Sequence, residues 1–297
     1  MTAMGFRSGY VSIVGRPNVG KSTLLNTLIG QKIAIVSPKA QTTRNTIMGI
    51  KNLPDSQIIF MDTPGIHRPL HKLGEMMVKS AIKSVENMDL IVYVVLPVLP
   101  DRREKDSIKK VIGKGTRCIL AVNKIDTVKK DALLPVIAKY AGMFSFDGIV
   151  PLSAITGSGV DVLIMEIKKY LPEGPGLYPD DMATDQVERF LLSEIIREKA
   201  ILNTRDEIPH SVAVEVIRWD ESSADNMIRA DANIYVERES QKGIIIGKRG
   251  RMLKKIGSEA RMEIEDALGI KFFLSLWVKV KKDWRENPSF LEEMGIK

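Results

Sequence analysis

Residues Gly15-Arg16-Pro17-Asn18-Val19-Gly20-Lys21-Ser22 constrain this chain more than any other stretch. They follow the apolar run Val11-Ser12-Ile13-Val14 and precede Leu24, Leu25, Leu28 and Ile29 at helical spacing. G-x-x-x-x-G-K-[ST] between a strand and a helix is a phosphate-binding loop. From Gly15 through Asn18, Val19 and Gly20, backbone N–H groups can curl around a β-phosphate, and the helix opening at Lys21, Ser22 and Thr23 points its positive end at the same anion. Lys21 would neutralise β/γ oxygens, and the Ser22 hydroxyl would ligate Mg²⁺. The stretch predicts a nucleoside triphosphate site.

Further ordered signals follow the loop. Ser37-Pro38-Lys39-Ala40-Gln41-Thr42-Thr43-Arg44 has neither helical nor strand period and reads as a mobile switch loop in which Thr42 or Thr43 could reach Mg²⁺. The apolar Ile58-Ile59-Phe60-Met61 ends in Asp62-Thr63-Pro64-Gly65, an acid placed to hold Mg²⁺ through water and a glycine whose N–H can meet a γ-phosphate. Two buried strands are expected over 89–96 and 117–122, the second running into Asn123-Lys124-Ile125-Asp126. The Asp126 carboxylate can accept from guanine N1–H and the 2-amino group, a donor pair adenine lacks. Asn123 would tie this loop to the phosphate loop, and the Lys124 stem can lie along the base. After a short strand at 148–152, a backbone N–H at Ser153-Ala154 could donate to guanine O6. His67 and His71 are read as solvated loop residues with no assigned role.

These five elements resemble the G1–G5 signature of the translation-factor-like GTPases. The resemblance implies GTP and GDP as ligands with Mg²⁺ held at Ser22, Thr43 and Asp62, and switch segments at Thr42–Thr43 and Asp62-Thr63-Pro64-Gly65-Ile66. Ile66 stands where Ras-like enzymes carry a water-orienting glutamine, so intrinsic hydrolysis should be slow. In the subclass with a hydrophobic residue there, an Asn at the place of Asn18 helps bind K⁺; the resemblance carries that role to Asn18.

At 297 residues the chain has room for about two domains. Its net +7 is uneven: 24 basic and 13 acidic residues over 1–171, against 20 and 24 over 172–297. A general basic-protein argument for nucleic acid therefore fails for the second half, and only a local cluster can carry it. Cys118 is the one cysteine, which excludes an internal disulfide framework. No stretch approaches the ~18 apolar residues of a membrane span, and no signal peptide opens the chain, so a cytoplasmic protein is expected.

The Pro- and Gly-dense stretch over 171–181 reads as a semi-rigid connection. The expected division is a GTPase domain over 1–172, a linker over 173–184 and a second domain over 185–297. Asp185 with Glu188 forms a capping-box pattern that should open a helix running to about Leu202. Two strands are expected over 211–219 and 230–238. From Lys242 to Lys255 there are six basic residues and no acid, around Gly247-Lys248-Arg249-Gly250. A G-x-x-G turn between helices is the K-homology pattern, in which Lys248, Arg249, Arg251, Lys254 and Lys255 would grip phosphates beside an apolar groove lined by Ile245 and Ile246. The last strand, 271–281, alternates: Phe272, Leu274, Leu276, Val278 and Val280 face one way, and Phe273, Trp277, Lys279 and Lys281 the other. Trp277 could stack a base while Lys279 and Lys281 pair phosphates, or Trp277 could be packed with the lysines in solvent.

The fold expected is α/β: a P-loop NTPase with a mostly parallel sheet and helices on both faces, followed by a smaller α+β type II K-homology domain. The whole order resembles the bacterial Era family of GTPases. Residues 16–26, 39–44, 193–199 and 276–281 are family-like runs. The resemblance implies binding of 16S rRNA near its 3′ end rather than DNA, a role in 30S subunit assembly, and peripheral association with the inner membrane. The competing readings are a signalling GTPase whose second domain binds protein, and an RNA chaperone with a vestigial nucleotide site; intact Lys21, Ser22, Asp62 and Asp126 speak against the latter.

Overall fold

The computed structural model describes residues 5–39, 42–66, 69, 71–112, 116–222 and 227–296. Ala40, Gln41, His67 and the turn residues 223–226 lie outside them. Among the described residues no helix is long and apolar enough to cross a membrane. The chain divides into two units.

The first unit takes in Met1–Ala34, Thr43–Pro69 and Gly74–Asp185. In chain order its elements are β1 (Arg7–Gly15), α1 (Lys21–Ile29), β2 (Ile47–Leu53), β3 (Ser56–Asp62), α2 (Lys72–Lys83), β4 (Leu90–Val95), α3 (Arg102–Ile112), β5 (Cys118–Val122), α4 (Lys130–Ala141), β6 (Gly148–Pro151) and α5 (Val160–Lys168). The sheet order is β2-β3-β1-β4-β5-β6. Every pairing is parallel except β2 with β3. All residues of β4 and β5 are buried, which is why they read as unbroken apolar runs rather than alternating ones. Because β1 lies between β3 and β4, the chain leaves it in opposite directions, and a crevice opens at its carboxyl end, where Gly15 starts the loop. Cys118 is buried in this core, and burial pushes its thiol up to about 12.

Residues 173–184 do not stand apart as a connection; they are bonded along the edge of this sheet. Leu177 and Tyr178 donate their N–H groups to Gln57 Oε1 at 2.6 and 2.9 Å. Ile50 N donates to Ala183 O at 2.8 Å and Thr184 Oγ1 to Met48 O at 2.6 Å. The outer strand β2 would otherwise leave those backbone groups open to other chains.

The second unit takes in Ile35–Thr42, Leu70–Leu73 and Gln186–Lys297. Its elements are α6 (Glu188–Asn203), α7 (Ile208–Ser211), β7 (Ala213–Ser222), β8 (Met227–Val236), α8 (Glu239–Ile246), α9 (Arg251–Leu268), β9 (Lys271–Val280) and α10 (Pro288–Glu293). The sheet order is β7-β8-β9, with β7 antiparallel and β9 parallel to β8. The expected capping box is not formed: α6 begins at Glu188, its N-cap is Val187 in extended backbone, and no side chain caps it. Ile195 and Ile196 of α6, Ile245 of α8, Ile256 and Ile264 of α9, and Ala232 and Ile234 of β8 build the core. Beyond β9, Trp284 is fully buried and donates Nε1–H to Ser211 O at 3.0 Å.

Candidate functional site

The phosphate loop runs from the end of β1 into α1, whose N-cap Gly20 carries no side-chain cap, so its first N–H groups face the crevice. Lys21 is buried, and its ammonium donates to Gly15 O at 3.2 Å and Arg16 O at 3.0 Å. Burial pulls the Lys21 pKa down to about 8, against the opposing pull of Asp62 and Glu104. Burial likewise pushes Asp62 up to about 6, with the Lys21 charge and the Ser22 hydroxyl resisting.

Ser22, Thr43 and Asp62 meet, although they come from three separate segments. Ser22 Oγ donates to Asp62 Oδ2 at 2.7 Å and lies 2.7 Å from Thr43 Oγ1. Asp62 Oδ1 is buried with no hydrogen-bond partner. Two hydroxyls and a carboxylate, one of its oxygens unspent, are the hard oxygen donors that Mg²⁺ takes alongside phosphate oxygens. Thr42 does not join them: its hydroxyl donates to Lys39 O at 2.8 Å. Thr63 is structural, its hydroxyl donating to Ile13 O at 3.0 Å. Ile66 is buried in the apolar cluster of Val14 and Ala81, and its N–H donates to Gly15 O at 3.1 Å.

The base-side residues converge on Asn123. Its Nδ2 donates to Val19 O at 2.8 Å, and its Oδ1 accepts from Lys124 N at 2.7 Å and Ala154 N at 2.9 Å. One buried amide thus joins three loops. Lys124 Nζ donates to Asn18 O at 2.9 Å, and Ser153 Oγ holds Asp126 Oδ1 at 2.6 Å. The Ala154 N–H is engaged by Asn123 and the Ser153 N–H donates to Ser158 O at 2.8 Å, so both amides are used inside the protein.

In the second unit, α8 ends in Gly247-Lys248-Arg249-Gly250, with φ of 70° at Gly247, 53° at Arg249 and 74° at Gly250. Two glycines supply the positive-φ backbone that turns the chain sharply into α9. Lys248, Arg249, Arg251, Lys254 and Lys255 surround the turn, and all five are exposed. Beside the turn lies a groove of about 350 Å³ lined by Gly250, Leu253, Lys254, Gly257, Leu274 and Leu276. Its apolar wall comes from α9 and β9, not from α8 as expected: Ile245 is fully buried in the core and Ile246 is half-buried. Gly257 lets the wall close, since a Cβ there would come within 3.2 Å of Leu276 Cδ1. Trp277 and Phe273 are 46% and 53% exposed on the opposite face of β9, so Trp277 is not packed. Lys279 is exposed, whereas Lys281 Nζ sits 4.0 Å from the Phe290 ring centroid and serves the C-terminal packing. His71 Nδ1 lies 2.8 Å from Glu286 Oε1, within the second unit.

Residues 10–124 match the family described as 50S ribosome-binding GTPase, and residues 207–285 the KH domain family. GTPase Era of Geobacter metallireducens is 50% identical over 291 residues, covering 98% of each chain. GTPase Era of Ruminiclostridium cellulolyticum is 49% identical over 295 residues, covering 99% of each. Among solved structures, a point variant of Aquifex aeolicus Era bound to GDP.AlF4- superimposes with a TM-score of 0.95 at 44% identity, over 98% of this chain and 99% of that one. An Era complex with MgGDPNP and nucleotides 1506–1542 of 16S ribosomal RNA gives the same score, identity and coverage. With a phosphate loop, an Asn-Lys-x-Asp loop and a G-x-x-G groove in that order, and relatives this similar along its whole length, the chain belongs to the Era family of GTPases.

Proposed function

We propose that this GTPase binds the 3′-terminal region of 16S rRNA in the α9–β9 groove, and that GTP with Mg²⁺ promotes this binding during 30S subunit maturation. The observation that carries the reading is the exposed basic G-x-x-G turn opening onto an apolar groove, in a half of the chain that is otherwise net acidic. Backbone and basic side chains would hold phosphates while unstacked bases lie against Leu253, Leu274 and Leu276. The solved Era complex with a 16S rRNA fragment supports the choice of RNA. A phosphate grip releases counterions, so affinity for a single-stranded RNA with the 16S 3′-end sequence should fall steeply between low and moderate salt. Salt-independent or absent RNA binding would instead favour a protein partner.

The chain connection at one peptide bond supports this linkage. Thr43 belongs to the first unit and reaches Ser22, whereas Ile35–Thr42 belongs to the second. There Arg197 Nη2 donates to Thr42 O at 2.5 Å, and Glu198 Oε1 accepts from Val36 N at 3.1 Å. A γ-phosphate and Mg²⁺ that draw in Thr43 would therefore pull on the chain next to Thr42, which α6 bonds.

For hydrolysis, Ile66 supplies no polar group, and we assign K⁺ the charge-stabilising part, with Asn18 at the exposed crest of the loop as its protein ligand. Exchanging K⁺ for Na⁺ should lower single-turnover hydrolysis by about tenfold or more; unchanged turnover would remove this part. Peripheral membrane association is carried by the family resemblance alone.

A further inference from the structure

Arg16 leaves the phosphate loop sideways and is received at the start of α3. Its Nη1 lies 3.2 and 3.1 Å from the two carboxylate oxygens of Asp101, and 3.6 Å from Glu104 Oε2. Both acids are themselves held. Asp101 Oδ1 accepts the Glu104 N–H at 2.6 Å, the bond of an N-cap. The Glu104 side chain is only 8% exposed and accepts from Tyr93 Oη at 2.9 Å, on the fully buried β4. A carboxylate sunk this far is costly without partners, and Arg16 supplies it with a cation.

The other side of the loop shows what the arrangement supports. Gly65 lies directly on Pro17: a Cβ at Gly65 would fall 2.8 Å from both Pro17 Cγ and Pro17 N. Ile66 N–H donates to Gly15 O at 3.1 Å, and Lys21 bonds the carbonyls of Gly15 and Arg16. The segment Gly15–Pro17 is thus braced from α3 through Arg16 on one side and carries the second switch on the other. Gly65 is the residue whose N–H would meet the γ-phosphate, and its seat is Pro17.

The geometry points to Asp101 and Glu104 as positioning residues for GTP hydrolysis: acting through Arg16, they fix the segment on which Gly65 and Ile66 rest, and so set how well the loop and the second switch together accept a γ-phosphate. Neither acid touches the nucleotide. The brace acts on what the third phosphate adds, and GDP, held by the rest of the loop and by Asp126, is nearly indifferent to it. The inference rests on Gly65 meeting the γ-phosphate.

The test uses the full-length protein with Arg16→Ala, Asp101→Ala and the double variant, reading GDP affinity, affinity for a non-hydrolysable GTP analogue, and single-turnover kcat. A partly exposed charge-assisted bond warrants a loss of about three- to tenfold in analogue affinity and kcat for each single variant, with GDP affinity within about twofold. The double variant should be no worse than Arg16→Ala, which already breaks the contacts of Arg16 with both acids. Asp101→Asn keeps an N-cap acceptor for Glu104 and removes the charge, so it should show the same selective loss with an unchanged melting temperature, and it decides the matter if Asp101→Ala folds poorly. Equal losses for GDP and the analogue, additive losses in the double variant, or no loss at all would overturn the assignment. Gly65→Ala tests the premise, since its Cβ would press on Pro17 and displace the Gly65 N–H: if analogue affinity is unchanged, the premise about Gly65 fails, whatever the Arg16 variants do.

Discussion

Replacing Asp126 by Asn should lower GTP affinity by about 10²- to 10⁴-fold, since two hydrogen bonds to a charged acceptor are removed at about 1.5–3 kcal/mol each. The same variant should bind xanthine nucleotides better than the unmodified protein does. Xanthine carries a carbonyl where guanine has its 2-amino group, and the Asn amide can donate to it. Ser153 Oγ holds Asp126 Oδ1 at 2.6 Å, and Asn123 braces the loop in front of it, so the change acts at one side chain rather than by collapse of the site. Competition between labelled GDP and unlabelled GTP, XTP and ATP measures it; a variant that keeps its preference for GTP would show that another group reads the base.

Reversing charge at the turn, Lys248→Glu with Arg249→Glu, should weaken binding of the 16S 3′-end RNA by about 10- to 100-fold. It should also flatten the dependence of log affinity on log salt by about 1.4, at about 0.7 for each single-strand phosphate that the protein no longer neutralises. GDP affinity and melting temperature should stay as they are, because both side chains lie on the surface of the turn and neither belongs to the core cluster of this unit. Truncating Leu276 to Ala is a different test. It opens the apolar wall and should weaken the complex without changing the salt slope. If the charge-reversed protein binds RNA as before, the turn is only a turn.

The sheet of the first unit was legible because buried parallel strands announce themselves as apolar runs, and 58–61, 90–95 and 118–122 do so. The strand β2 was not legible. Its residues Gly49, Lys51 and Asn52 break any period, and it is a strand because it pairs with β3 and is covered by residues 173–184. That same docking explains the misplaced start of α6. Asp185 still belongs to the segment bonded along the first unit, so it is not placed to cap, and the helix waits until Glu188.

At the site, motif spacing pointed to Lys21, Ser22, Asp62 and Asp126 and left Thr42 and Thr43 open, and the family resemblance chose Thr43. The two adjacent hydroxyls find different partners in an irregular loop, and only the tertiary position of Ser22 separates them. The groove was half-legible. The run Ile244-Ile245-Ile246 carries no phase, and the helix turns Ile245 fully inward while leaving Ile244 49% exposed. Strand alternation had set Leu274 and Leu276 on the inner face, but whether an inner-face residue meets core or groove depends on how closely α9 passes, which Gly257 sets. The brace of Arg16 by Asp101 and Glu104 joins residues distant in sequence and has no local signature.

The proposed linkage between the phosphate site and the RNA groove is measured most directly as RNA affinity in two nucleotide states. Full-length protein, saturated with Mg²⁺ and either a non-hydrolysable GTP analogue or GDP, is titrated with labelled RNA of the 16S 3′ end at fixed salt. Couplings of this kind run to about 1–3 kcal/mol, so the analogue-bound protein should bind at least about fivefold more tightly, and RNA should raise affinity for the analogue by the same factor. Identical RNA affinities in the two states would contradict the account while leaving each site intact.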